Sequence, residues 1–269
     1  MRFFWEPLII FARHRVLLRR LARREFEARY RGSMLGLAWA VITPVAMMAV
    51  YTFVFNSVLA ARWPGHAAGD KLGYALNLLA GLVVFNVLAE CMGRAPRLIL
   101  ENPSYVKKLV FPVEILPVVT LLGAVISASI GCLVLLLIQW AMVGPPSPAV
   151  LLLPLLVMPL LFLCLGVTYL LAALGVFLRD IGQMVGPLVM ILMFLSPVFY
   201  PAENVPQPWH DWLALNPLAA AIGWVRGAAL LGNLPAAGGY FGQLAAGVLF
   251  LALGYRTFMA LRPSFADVV

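Results

Sequence analysis

The sequence predicts an all-helical integral membrane protein, because it is apolar, poor in charge and rich in long uncharged stretches. Of its 269 residues, 63% are hydrophobic and only 11% are charged, whereas about 25% of the residues in soluble domains are charged. The mean hydropathy is +0.97. Several uncharged stretches reach the roughly 20 residues that an α-helix needs to cross a bilayer. One bundle of membrane helices, a single domain over residues 1–269, accounts for the whole chain.

The uncharged stretches predict six membrane spans. The block over residues 115–178 is interrupted by the sequence VGPPSPA, so it fits two helices joined by a tight turn. The stretch between Asp211 and Arg226 is too short to cross and predicts a re-entrant or interfacial segment. The predicted spans are residues 34–60, 72–93, 115–142, 150–177, 183–200 and 238–260. The remaining parts are an N-terminal segment over residues 1–33 and a re-entrant region over residues 201–232.

Lysine and arginine predict that both termini lie in the cytoplasm. With six spans the termini share one side, and all 19 basic residues except Arg62, Lys71 and Arg226 would lie on that side. The positive-inside rule therefore favours a bacterial inner membrane with both ends of the chain in the cytoplasm. Because this asymmetry explains the net charge of +8, no nucleic-acid partner is expected.

The N-terminal segment predicts a basic amphipathic helix over residues 18–31. Its apolar face would carry Leu18, Leu21, Ala22, Phe26 and Tyr30, and its polar face Arg19, Arg20, Arg23, Arg24, Glu27 and Arg31. Such a helix is suited to the headgroup layer, with its apolar face toward the lipid. The arginines could serve only as a topology anchor, or the polar face could contact a partner protein.

Small residues recur every four positions at two places. Gly32 and Gly36 open the first span, and Gly123, Ser127 and Gly131 follow one face of the third. Small side chains let helices approach closely, so this pattern predicts helix packing.

The sequence lacks the motifs of an energy-converting enzyme. None of the lysines follows a glycine in a phosphate-binding loop, and no paired carboxylates or metal-ligand cluster is visible. We therefore expect no catalytic residue, no metal and no cofactor in this chain. Glu90 and Arg94 are four residues apart and predict a helical ion pair, and the other spans carry no charge. Since ion-coupled transporters keep ionisable groups in the membrane, the energy for transport would come from a partner.

Four stretches together resemble the permease subunits of type-2 ABC exporters for cell-surface polysaccharides such as O-antigen, teichoic acid and capsule. They are REFEARYRGSMLGLAWAVITPVAMMAVYTFVF from residue 24, NPSYVKKLVFPVEILPVV from 102, FLRDIGQMVGPLVMILMFLSPVFYP from 177 and LNPLAAAIGWVRGAALLG from 215. They occur in the family's order. Val113 is one departure, because many relatives carry arginine at that position.

The resemblance implies a homodimer that works with two separate ABC ATPase subunits, which would bind ATP and magnesium. A cytoplasmic coupling helix at about residues 95–108 would dock on the ATPase. Its candidate residues are Arg97, Glu101, Asn102, Lys107 and Lys108. Lys107 and Lys108 could equally serve topology alone. The region after the fifth span would form outer gate helices, with Trp209, Trp212, Trp224 and Arg226 as gate residues.

The resemblance also suggests which residues contact a substrate. Arg29, Tyr30 and Arg31 lie at the mouth of the first span, where arginines could bind a lipid pyrophosphate. Aromatic rings could pack on sugar rings along the path, although each could instead face lipid or the core. The candidates are Trp39, Tyr51, Phe53, Phe55, Phe199 and Tyr200. The expected function is export of a lipid-linked polysaccharide, above all undecaprenyl-pyrophosphate-linked O-antigen. The alternatives are a permease for a small molecule or drug, and a membrane scaffold that recruits an ATPase.

Overall fold

The computed structural model of the chain describes residues 14–59, 61, 63, 70–106 and 111–268. These residues form helices and turns with no strand among them, which confirms the predicted all-α fold class. In chain order the α-helices are α1 (Arg15–Tyr30), α2 (Trp39–Thr52), α3 (Lys71–Arg94), α4 (Pro103–Val106), α5 (Ile115–Met142), α6 (Leu153–Leu156), α7 (Met158–Phe177), α8 (Ile181–Leu195), α9 (Trp209–Leu215), α10 (Pro217–Arg226), α11 (Ala237–Leu261) and α12 (Phe265–Val268). Tighter or wider turns extend several of them: 3-10 helices at Gly36–Ala38, Ala95–Arg97, Pro148–Leu152, Ala202–Asn204 and Arg262–Ser264, and π-helices at Phe53–Val58 and Gly227–Leu231.

Within the described residues, five helical segments are long and apolar enough to cross a membrane. They correspond to the first four predicted spans and the sixth: Gly36–Val58, Lys71–Arg97, Ile115–Met142, Pro148–Phe177 and Ala237–Ser264. The break between the third and fourth falls in the predicted Gly/Pro-rich turn. The lengths of the uncharged stretches were therefore sufficient to locate these spans.

The predicted fifth span is shorter than the sequence suggested. Helix α8 has 15 residues, or about 22 Å at 1.5 Å per residue, less than the roughly 30 Å of hydrocarbon. It stops at Leu195 because Ser196 is extended, with φ −105° and ψ 150°. A residue that precedes proline is pushed into this conformation, and Pro197 follows. The predicted helix over 183–200 is thus wrong for its last five residues.

The region after this break contains a sharp bend at Asn216. Helices α9 and α10 meet at 83°. Asn216 caps α10, since its side-chain oxygen accepts hydrogen bonds from the backbone N–H groups of Leu218 (2.9 Å) and Ala219 (3.4 Å). This geometry suits both a re-entrant segment and one broken span, so the described chain has five or six crossings.

The second span is the centre of the bundle and the first lies at its edge. In the apolar window of Lys71–Arg97, 78% of the residues are buried, and in that of Gly36–Val58 none is. Helix α3 packs against α2, α5, α7, α8 and α10. Any site on α3 is therefore surrounded by elements from most of the chain.

Helix α1 is amphipathic, as predicted, but its apolar face meets protein. Leu18, Ala22 and Phe26 are buried, and α1 packs against α5. The expectation that this face rests on lipid is wrong, because the third span covers it. The helix is therefore held against the bundle, while Arg19, Arg20, Arg23 and Arg24 remain exposed.

Candidate functional site

The main candidate site is a cavity of about 480 Å³ between the end of α1 and the helices α2, α3 and α5. It contains four residues that the resemblance suggested as substrate contacts: Arg29, Tyr30, Trp39 and Tyr51. Its walls are otherwise mostly apolar, with Thr43, Asn86, Glu90 and Ser127 as polar groups. A mainly apolar cavity with a few convergent polar groups is typical of a ligand site.

Arg29 points into this cavity and is held by two partners. Its guanidinium forms an ion pair with Glu90, and Nη1 donates a hydrogen bond to Ser127 Oγ at 3.0 Å. Only 21% of its side chain is exposed, and its buried Nε makes no hydrogen bond within the described part of the chain. A β-carbon at Gly123 would lie 2.7 Å from Nη2, so the small-residue face of α5 provides the space that Arg29 occupies.

The ion pair predicted between Glu90 and Arg94 is wrong. Glu90 pairs with Arg29, and Arg94 Nη1 lies 2.6 Å from Glu25 Oε1. Both partners lie on α1, so tertiary contacts replace the local i,i+4 pair. Burial raises the pKa of the Glu25 carboxyl, and the positive charge of Arg94 opposes that rise. These two pairs join α1 to the C-terminal end of α3.

The predicted phosphate-binding group is divided. Tyr30 lines the cavity beside Arg29, and its ring packs edge-on against Phe26 at 5.3 Å. Arg31 is exposed and does not line the cavity. The described structure therefore presents one arginine to the cavity, where the sequence suggested two.

Three of the predicted channel aromatics form a cluster near the other end of the cavity. The Phe199 ring stacks on Phe55 at 4.7 Å and meets Tyr51 edge-on at 5.1 Å. Phe194 joins them at 5.6 Å from Phe199; it was missed, because nothing distinguishes it within the apolar helix. Tyr200 donates a hydrogen bond to the Phe194 carbonyl at 3.1 Å.

The other two predicted channel aromatics lie apart from this cluster. Trp39 lines the cavity from the first turn of α2. Phe53 is exposed at the start of the π-helical turn, and it does not line the cavity. The cavity therefore has a charged end at Arg29 and an aromatic end at Tyr51.

A buried arginine fixes the break after α8. Arg226 is only 7% exposed. Its guanidinium donates to three backbone carbonyls: Nε to Asn77 at 2.8 Å, Nη1 to Pro197 at 2.6 Å and Nη2 to Val198 at 2.8 Å. Arg226 was predicted as an outer gate residue, and in the structure α10 inserts it between α3 and the break.

Two further aromatic residues complete the surroundings of Arg226. The Trp63 ring lies 4.5 Å from the guanidinium carbon, a cation–π contact. Tyr74 donates its hydroxyl hydrogen to the Phe199 carbonyl at 2.7 Å and packs against Trp63. A β-carbon at Gly81 would lie 2.6 Å from Arg226 Nη2. No sequence pattern pointed to Trp63, Tyr74 or Gly81, since Arg226 and Phe199 lie far along the chain from them.

The predicted gate tryptophans do not form one cluster. Trp209 and Trp212 are exposed on α9. Trp224 packs against Tyr240 of α11 with 5.6 Å between ring centroids. Exposed tryptophans near the end of a bundle suit a membrane interface.

The predicted coupling segment forms one wall of a groove of about 520 Å³. Helix α1 forms the other wall, and Arg24, Glu25, Arg94, Glu101 and Asn102 supply its polar groups. Asn102 shapes the segment by donating to the Leu98 carbonyl at 2.8 Å. Arg97 lies on the opposite side, beside Gly182 and Gly186 of α8. Lys107 and Lys108 lie outside the described residues.

Comparison with known proteins gives one family and several relatives. The family described as "ABC-2 type transporter" matches residues 16–230. An O-antigen export system permease protein of Myxococcus xanthus is 27% identical over 258 residues, which cover 95% of this chain and 96% of that protein. One of Klebsiella pneumoniae is 25% identical, with 93% of each chain covered. A polysialic acid transport protein of Escherichia coli is 23% identical, with 90% and 93% covered.

Proposed function

Because the chain belongs to the ABC-2 type transporter family, we propose that it is the permease of an ATP-driven exporter for a lipid-linked polysaccharide. Relatives aligned over nine-tenths of the chain or more are named for the export of O-antigen and the transport of polysialic acid. An undecaprenyl-pyrophosphate-linked O-antigen is the substrate that suits these names and the site best. The observation that carries the proposal is the cavity with a charged and an aromatic end.

The charged end of the cavity supports recognition of a phosphate. Arginine binds carboxylate and phosphate through the same paired N–H donors, so a lipid phosphate could replace Glu90 at the Arg29 guanidinium. The buried Nε adds a donor that has no hydrogen bond within the described residues. Glu90 would hold Arg29 in place between substrates, and Ser127 would fix its direction.

The aromatic end supports passage of the glycan. Aromatic faces offer sugar rings many weak contacts without a required sequence, so a chain could bind and still slide. Trp39 and Tyr51 line the cavity, and Tyr51 continues into the cluster of Phe55 and Phe199.

The energy source and the assembly follow from the same proposal. Two copies of the chain would form the pathway in a bacterial inner membrane, with both termini in the cytoplasm. Pairing is supported by the first span, whose apolar residues, such as Val50 and Phe53, remain exposed. Two ABC ATPases would bind ATP and magnesium, and the groove between α1 and the coupling segment would receive them.

Export by the bacterium that encodes the chain tests the function. We expect deletion to remove the polysaccharide from the cell surface and to cause its lipid-linked form to accumulate inside. Arg29→Ala should reproduce both effects at normal membrane abundance. Arg20→Ala is the matched control, since it removes the same charge from the exposed side of α1.

Two results would contradict the proposal. Normal surface glycan in the deletion strain, with no accumulated lipid-linked glycan, would exclude polysaccharide export. Failure of the tagged chain to co-purify with any ABC ATPase in mild detergent would exclude the proposed assembly.

A further inference from the structure

A second groove of about 520 Å³ lies between α1 and α5, and it shares no lining residue with the Arg29 cavity. We call it the interface groove. Its volume falls within the roughly 300–1,000 Å³ typical of ligand sites. Its wall from α1 consists of Arg15, Leu18, Arg19, Ala22, Arg23, Phe26 and Glu27, and its remaining residues are Leu37, Leu122 and Ile126.

The rim of the interface groove is basic. Arg15, Arg19 and Arg23 follow one another at intervals of four residues, so they share one side of α1. Arg23 is paired with Glu27 at 2.7 Å. No carboxylate of the described residues pairs with Arg15 or Arg19, and both are exposed. The rim therefore presents two uncompensated positive charges side by side.

The floor of the interface groove is apolar and leads into the membrane. Leu122 and Ile126 are seven and 11 residues beyond the start of α5 at Ile115, which places them about 10 and 16 Å along the helix axis. Phe26 and Leu37 also line the groove. If α5 crosses the membrane from its first residue, the Leu122 and Ile126 side chains lie at the depth of lipid acyl chains.

We propose that the interface groove binds one anionic phospholipid, with its phosphate at Arg15 and Arg19 and an acyl chain along Leu122 and Ile126. Two arginines and a contiguous apolar floor match a negatively charged headgroup joined to a hydrocarbon chain. A zwitterionic lipid fits less well, because its ammonium group would face the same arginines. The bound lipid bridges α1 and α5, and by binding the folded bundle it stabilises the position of α1.

Native mass spectrometry of the full-length chain in mild detergent, titrated with phosphatidylglycerol, tests the headgroup contact. We expect Arg19→Gln to weaken phosphatidylglycerol binding about fivefold, the value of one basic residue near an anionic headgroup. Arg20→Gln is the matched control; it removes the same charge one position away, outside the groove, and should leave binding unchanged. Phosphatidylcholine should bind more weakly to the unaltered chain.

The acyl-chain contact has its own test. Ile126→Trp fills the floor of the groove and should abolish phosphatidylglycerol binding, whereas Leu133→Trp, at an exposed position of the same helix, should not. Unfolding temperatures in detergent identify a variant that fails to fold, and in that case the smaller Ile126→Phe replaces it.

Three outcomes would overturn the proposal. Equal losses for Arg19→Gln and Arg20→Gln would mean diffuse attraction to the membrane surface. Competition by soluble glycerol phosphate as strong as by phosphatidylglycerol would mean that the acyl chain makes no contact. Binding only after deletion of residues 2–12 would mean that the chain's own N-terminal segment occupies the groove.

Discussion

Two arginines lie at opposite ends of α3 and are held in different ways. At one end, Arg29 meets the side chains of Glu90 and Ser127 and lines a cavity. At the other end, Arg226 is buried against three backbone carbonyls and faces no carboxylate at ion-pair distance among the described residues. A carboxylate can be exchanged for a phosphate, but backbone carbonyls cannot move away without unfolding the chain around them. Arg29 is therefore suited to binding and Arg226 to holding a shape.

The shape that Arg226 holds connects the two ends. Its donors fix the carbonyls of Pro197 and Val198, and Tyr74 fixes that of Phe199. The Phe199 ring then meets Tyr51, which lines the cavity. The break after α8 thus positions the aromatic end of the cavity, although Arg226 itself does not line it.

The largest effect should come from Arg226→Ala. The substitution leaves the buried carbonyls of Pro197 and Val198 without their donor, each at about 1–3 kcal/mol, so the free energy of unfolding should fall by about 2–6 kcal/mol. Thermal unfolding in detergent and abundance in the membrane measure this loss. Arg226→Lys should recover only part of it, because one ammonium group cannot reach all three carbonyls. Unchanged stability in Arg226→Ala would contradict a structural role.

Arg226 also shows what could be predicted from the sequence and what could not. Charge-free length located five spans, and periodicity predicted the amphipathic helix α1. The partners of Arg226 are backbone groups at residues 77, 197 and 198. Every residue has a backbone carbonyl, so no amino-acid pattern marks the three that accept from Arg226. The contact could therefore not be predicted from the sequence.

The other corrections have a related cause. Glu90 and Arg94 have the spacing of a helical ion pair, but two charged residues of α1 compete for them. Local spacing limits which pairs are possible, and tertiary packing decides among them. The early end of α8 was visible in principle, since Pro197 restricts Ser196. Hydropathy alone does not register that restriction.

The next-largest effect is expected when the same substitution, glycine to alanine, is made beside each of the two arginines. Alanine at Gly81 would crowd Arg226 Nη2 at 2.6 Å, and alanine at Gly123 would crowd Arg29 Nη2 at 2.7 Å. We expect Gly81→Ala to lower the free energy of unfolding by about 2 kcal/mol, because the Arg226 site cannot relax. Gly123→Ala should leave stability nearly unchanged, because Arg29 can move into the cavity, but it should reduce export. Parallel unfolding and export assays measure the pair. Equal destabilisation by both would remove the distinction between the two arginines.

A smaller effect is expected for Arg29→Lys. Lysine keeps the charge and the pair with Glu90 but loses the planar set of donors. Losing one charge-assisted hydrogen bond to a phosphate, about 1.5 kcal/mol, should reduce export about tenfold at limiting substrate. Arg31→Lys is the control, since Arg31 is exposed and lies outside the cavity. Rates of surface glycan appearance at matched abundance give the comparison. Full export by the Arg29→Lys variant would mean that Arg29 contributes only a positive charge that anchors the helix.

The smallest effect should come from Tyr74→Phe, and it asks whether the break after α8 is held by Arg226 alone. The change removes only the hydroxyl that donates to the Phe199 carbonyl, so the expected loss is about 1 kcal/mol. Tyr240→Phe is the control: its hydroxyl donates to the Leu155 carbonyl at 3.0 Å in an exposed position, where water can replace it. If both donors fix one segment, the double variant Tyr74→Phe/Arg226→Lys should lose more stability than the two single variants lose together. Strict additivity in unfolding experiments would mean that Phe199 is positioned by its ring contacts, and that the N-terminal end of α3 is fixed by Arg226 alone.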